Sequence, residues 1–213
     1  MSTTEPRPGR RRPGRPRGQD SSVVREAALG AAIDLIAEHG YAATSMAQVA
    51  EAAGISPSGL AHHFPSKAAL LGAVLDHRDS IDTLPAAEGA GAWAVFDGLV
   101  ELARVNAGRR QLVALYTTVI GEAVGPDHPA HDWMLRHFEV SLALLEDAVR
   151  EGQRTGEIAA DAPPGHLART TISLMDGLQV QWLVDPSVDM PAELHLHVAE
   201  LKRRWGTGPA ELS

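Results

Sequence analysis

The 213-residue chain contains no cysteine. That absence excludes a disulfide framework and any zinc site built on thiolates. Long apolar runs are missing as well, since no stretch approaches the roughly 20 apolar residues that span a bilayer. The opening MSTTEPRPGRRRPGRPRGQD is basic but has no apolar core, unlike a secretory leader. The expectation is a soluble, cytoplasmic protein without a membrane partner. Lysine is scarce, two residues against 17 arginines, and alanine is abundant, a composition found in high-GC bacterial genomes. No internal repeat and no convincing strand pair can be found.

What is present divides the chain. Residues 1–20 carry six arginines against Glu5 and Asp20, a net of +4, so with −8 overall the remainder carries −12. A Pro-, Gly- and Arg-rich arm of this kind is expected to be disordered until it meets an anionic partner. From Val23 onward the chain reads as helix after helix. Val24, Ala28, Ala31 and Leu35 share one face with Ala32 and Ile36 beside them, and Gly40 is placed as a stop. Thr44 or Ser45 can cap the next helix, whose Met46, Val49, Ala50 and Ala53 make one apolar face. Gly54 interrupts it, Ser56 can cap a very short third helix, and Ser66 a fourth running to about residue 82. Helices are expected further on over roughly 91–106, 108–124, 129–154, 164–184 and 190–205, with GPDHP, DAPPG and DPSVDMP as breaks. The fold class is all-α. A three-helix N-terminal unit over 21–68 precedes a larger helical body over 69–213.

The segment AGISPSGLAHHFPSK contains two adjacent histidines, His62 and His63. Neighbouring helical residues point about 100° apart, so the pair cannot chelate one ion, and helical metal pairs want i, i+4 spacing. Catalysis would need a group to orient the imidazole and a concave pocket, and a short exposed helix supplies neither. Helix, a glycine-bearing turn and a second helix instead spell a helix-turn-helix. On the second helix Leu60 and Phe64 face inward. Ser58, Gly59, Ala61 and His62 then face out and His63 sits at the boundary, a small polar surface suited to a major groove.

The run AATSMAQVAEAAGISPSGLAHHFPSKAALL resembles the DNA-binding domain of the TetR family of bacterial regulators, over about residues 22–71. The later LARTTISLMDGLQVQWLVDPSVD is similar to the family's penultimate helix in actinobacterial members. The resemblance implies that Thr44 and Ser45 anchor a phosphate. It makes Ser56, Ser58, Gly59, His62 and His63 the groove-facing edge, and has Lys67 grip a second phosphate at a helix N-terminus. Two positions depart from the family pattern. Ala61 stands where an aromatic usually touches the DNA backbone, and Ala47 where a polar reader often stands. Residues 21–67 hold only Arg25 and Lys67 against Glu26, Asp34, Glu38 and Glu51. The arm is therefore expected to compensate, with Arg12, Arg15 and Arg17 entering an A·T-rich minor groove.

In the acidic body, the helix at 164–184 carries Leu167, Thr171, Leu174, Leu178 and Trp182 on one stripe. Ile172, Met175, Gln179 and Leu183 form another. The last helix repeats Leu194, Val198, Leu201 and Trp205. The resemblance implies that these two helices pair with a second copy, putting Leu167, Leu174, Leu178, Trp182, Leu194, Val198 and Leu201 in a homodimer interface. The middle helices offer a small-molecule cavity lined by Trp93, Phe96, Tyr116, Thr117, Ile120, Trp133, His137, Phe138, Met175 and Gln179. DHPAHDW holds His128, His131, Asp127 and Asp132, but Pro129 interrupts it, and no metal or cofactor is expected. The function expected is a dimeric repressor on palindromic double-stranded DNA, released by a small-molecule effector and nucleoid-associated when bound. A DNA-binding architectural protein without an effector is the alternative. An enzyme ranks last, because no nucleophile–base or acid pair has recognisable spacing.

Overall fold

A computed structural model describes residues 21–82 and 91–207. Among them nine helices account for nearly all regular structure, and the single extended contact is an antiparallel bridge between Ile158 and Gly206. Arg12, Arg15 and Arg17 lie outside the described residues. No described helix is long and apolar enough to cross a membrane.

The first four helices are α1 (Ser21–Ala43), α2 (Met46–Ala52), α3 (Pro57–His63) and α4 (Lys67–Ile81). Local chemistry fixes each start. Gly40 breaks α1 with φ of 81°, a left-handed conformation that an L side chain resists. Of the two candidates for the cap of α2, Ser45 takes it. Its Oγ accepts from Gln48 N–H at 3.3 Å, while its own N–H donates to Gln48 Oε1 at 2.8 Å, a reciprocal capping box. Ser56 caps α3 by accepting from Gly59 N–H at 3.0 Å, with Pro57 in the first turn where its missing N–H costs nothing. Ser66 caps α4 in the same way through Ala69 N–H at 3.1 Å.

The body comprises α5 (Ala94–Asn106), α6 (Arg110–Glu122), α7 (His131–Thr155), α8 (Pro164–Val184) and α9 (Met190–Trp205). The starts of α5, α6 and α7 fall two or three residues later than the periodicity predicts. Tight turns precede them, such as Ala94 N–H to Gly91 O at 2.9 Å. The long α7 stops at Gly156, in the left-handed region with φ of 80°. One turn earlier Gly152 lets the chain fold back. A Cβ there would lie 2.6 Å from Ile158 Cδ1 and 2.7 Å from Ala92 Cβ, so only hydrogen fits.

Two apolar cores result, and the expected boundary at 68/69 does not separate them. The first joins Ala28, Leu29, Ile36, Val49, Leu60 and Phe64 to Leu70, Leu71, Val74 and Leu75 of α4. It continues through Leu115, Tyr116 and Val119 of α6 into Trp133 and Met134 of α7. The second binds α5, α7, α8 and α9 around Phe96, Leu145, Leu167, Met190 and Leu194. Helix α1 packs most extensively on α6. Their junction is tied by Tyr41 N–H donating to Glu122 Oε2 at 3.0 Å.

The residues expected at a dimer interface are placed otherwise. Leu167, Leu178, Trp182, Leu194, Val198 and Leu201 are all buried within the second core of a single protomer, and Leu174 is half-buried against it. The two stripes of α8 are consumed by α6 and α7 on one side and α9 on the other. Apolar side chains left outside are instead Val180, Val184 and Leu196, the last two 83 % and 63 % exposed.

Candidate functional site

The short α3 presents Ser58, Ala61 and His62 to solvent, with Leu60 and Phe64 buried beneath and Gly59 and His63 half-buried at the margins. The two histidine rings stand 5.5 Å apart at 74°, a divergent pair. Ser56 Oγ lies 3.1 Å from Ser58 Oγ, so the cap and the exposed edge share one polar patch. Thr44 differs from expectation. It is 3 % exposed and its hydroxyl donates to Gly40 O at 2.9 Å, so it closes the turn after the kink and is not free to hold a phosphate. Lys67 is partly engaged as well. Its Nζ donates to Ala42 O at 3.1 Å and sits 4.2 Å from the centre of the Tyr41 ring. Arg25 lies over Phe64 at 5.7 Å. The exposed edge of the helix-turn-helix is therefore small, polar and poor in free cations.

Two family models match. One is described as bacterial regulatory proteins, tetR family, over residues 28–74, and the other as BetI-type transcriptional repressor, C-terminal, over 136–201. Together they span more than half of the sequence, and they bracket the helix-turn-helix and the last three helices. The chain belongs to the TetR family.

Its relatives agree. The HTH-type transcriptional regulator UidR of Escherichia coli K12 is 25 % identical over 169 residues, 75 % of this chain and 81 % of UidR. RutR of the same strain is 42 % identical over 59 residues, 28 % of each chain. The fold of a SmeT–triclosan complex superposes with a TM-score of 0.77 at 17 % identity, covering 89 % of this chain and 94 % of that one. This TetR-family protein is a transcriptional regulator with an N-terminal DNA-binding helix-turn-helix.

The body of the TetR-family chain encloses a cavity of about 580 Å³ among α4, α5, α6, α7 and α8, within the range of small-molecule sites. Of the ten residues the sequence suggests for it, Tyr116, Trp133, His137, Met175 and Gln179 line the wall. The other five do not. Trp93 and Phe96, with ring centres 5.5 Å apart, turn into the core shared with α9. Thr117 bonds back to Val113 O at 3.0 Å, and Ile120 and Phe138 pack against the core of the reading head.

Sequence reasoning missed the charged floor. Arg78, buried in α4, sets its Nε 3.1 Å from Asp82 Oδ2 and its NH1 3.2 Å from Asp79 Oδ1, with its guanidinium 3.9 Å from the Tyr116 ring centre. Burial pushes the Asp82 carboxyl up, and Arg78 and Arg109 pull against it. Burial likewise raises the Tyr116 phenol and the Asp176 carboxyl. The stacked ring of His137 lies 4.9 Å from Trp133, with Nε2 3.1 Å from Tyr116 Oη and Nδ1 3.5 Å from Asp79 Oδ1. One signal was available. Arg78 and Asp82 stand at i, i+4 on a helix whose first half is apolar, as a buried pair would. Among the described residues no group of three or more His, Asp or Glu is placed to hold a metal.

Proposed function

We propose that the chain is a homodimeric repressor that reads a two-fold operator with Ser58, Gly59, His62 and His63, holds phosphates with Ser45 and Lys67, and releases DNA when a small molecule fills the cavity. One observation carries this reading. Helix α4 belongs to both sites at once. Its Leu70, Leu71, Val74 and Leu75 lie in the core of the reading head, and its Asp76, Arg78 and Asp79 form a wall of the cavity. At 1.5 Å per residue this rod is about 22 Å long. A ligand that displaces its C-terminal half also tilts the end that begins at Lys67, beside α3.

For the dimer we assign the outer stripes of α8 and α9, Ser173, Gly177, Val180 and Val184 with Ala192, Leu196 and Ala199. They recur at helical spacing and include the largest exposed apolar side chains of both helices. Two-fold pairing then sets the α3 copies near one DNA turn apart, roughly 34–36 Å. A protein of this kind works in the cytoplasm, on nucleoid DNA.

The test is footprinting on DNA upstream of the protein's own gene, followed by anisotropy titration with and without compounds chosen because they raise Tm. Stabilising compounds are expected to weaken operator binding. Compounds that stabilise the protein but leave operator affinity unchanged would replace this reading with an effector-free DNA-binding protein.

A further inference from the structure

Given a ligand cavity, as argued above, its electrostatics select the ligand. We propose that the cavity takes an organic cation, with an ammonium head against Asp176 and an apolar body laid between α5, α7 and α8. The proposal rests on which charges are already spent. Arg78 is satisfied by Asp79, Asp82 and the face of Tyr116, and Arg109 reaches Asp82 Oδ1 at 3.3 Å. Neither guanidinium is left to receive an anion, and the remaining cationic lining residue, Arg136, is exposed.

Asp176 is in the opposite position. It projects from the middle of α8 into the cavity wall, is only partly accessible, and among the described residues forms no ion pair. Burial disfavours its charge by more than the nearby His137 and Arg78 favour it, and a bound ammonium would offset that cost by Coulomb attraction in a site of reduced dielectric. One turn along α8, Gln179 is 2 % exposed and its Oε1 is buried without a donor, which adds acceptor character to the same wall. The lining rings of Trp133 and Tyr116 already meet His137 and Arg78, so the selection of a cation rests on the carboxylate and the amide oxygen. Away from this floor the lining turns apolar, with Val95, Leu99, Leu102, Leu144 and Ile172. An anion placed there would meet four carboxylates, Asp76, Asp79, Asp82 and Asp176, with no free buried cation.

The experiment compares three probes of one shape, phenylbutylamine, phenylbutanol and phenylbutyrate, by calorimetry and thermal shift on the full-length protein. Phenylbutylamine is expected to bind tightest. Asp176→Asn is expected to weaken the amine on the order of tenfold or more while leaving phenylbutanol unchanged, so the alcohol reports an intact cavity. Leu144→Trp, which fills the apolar end, should abolish both. Phenylbutyrate binding as tightly as the amine would overturn the cation assignment, and so would an amine indifferent to Asp176→Asn. If the alcohol or the acid binds and also releases DNA, the effector reading stands and only the ligand class is wrong. If none of the three binds, the cation proposal falls, and the Tm-selected compounds alone decide the effector reading.

Discussion

His197 Nε2 on α9 lies 2.9 Å from Thr171 Oγ1, whose hydroxyl donates to Leu167 O at 2.8 Å, which leaves the threonine oxygen to accept from the ring. Partial burial holds the imidazole below its ordinary 6.5, because the charged ring would be poorly solvated in this seam. The unfolded chain therefore binds more protons than the folded one in the interval just below pH 6.5. Stability rises with pH through that interval and is lost as pH falls. Urea midpoints measured between pH 5 and pH 7 should show this slope, and His197→Gln should flatten it. An unchanged slope in the variant would assign the dependence elsewhere. Thr171 itself is visible in the sequence only as a member of an apolar stripe. Its partner lies 26 residues away on another helix, a pairing that periodicity does not encode.

Helix boundaries are the legible part of the fold, because their causes are local. Ser45, Ser56 and Ser66 each precede a helix that they cap within three residues. Which neighbour a helical face meets is decided at a distance, and there periodicity does not suffice. Leu178, Trp182 and Leu194 have the spacing of an interface stripe, yet α8 and α9 use them on each other and on α5–α7. Trp93 and Phe96 have the chemistry of a ligand wall, yet the rotation of α5 turns them toward α9. The charged floor is hard to foresee because buried ion pairs leave no hydrophobic period. For the dimer, the consequence is that substitutions should be made on the outer faces. Leu196→Asp leaves the protomer core intact and places a charge at the proposed seam. Sedimentation should show a monomer with unchanged helicity and much weaker operator binding. A persistent dimer would move the interface away from α8 and α9.

At the scale of the molecule, charge and packing divide the work differently. The described reading head has few free cations, with Lys67 and Arg25 both leaning on aromatic rings. The surplus positive charge lies in residues 1–20. Truncation of residues 1–18 is expected to lower operator affinity and to reduce the slope of log affinity against log salt by about 0.9 for each phosphate that the arm had neutralised. Equal slopes for the two proteins would confine DNA recognition to the helix-turn-helix.

The core that runs from Leu60 through α4 to Tyr116 and Trp133 also constrains how such a protein can be recombined. A graft of this DNA specificity onto another sensor cannot be cut cleanly after α3. The severed head would lose Leu70, Leu71, Val74 and Leu75 from its core, and the orphaned body would lack α1, which packs on α6. Working chimaeras should carry α1 and α6 as a matched pair. In evolutionary terms, the proposed reading lets operator choice drift freely only at the exposed edge of α3, while the surfaces behind it must change in step with the body.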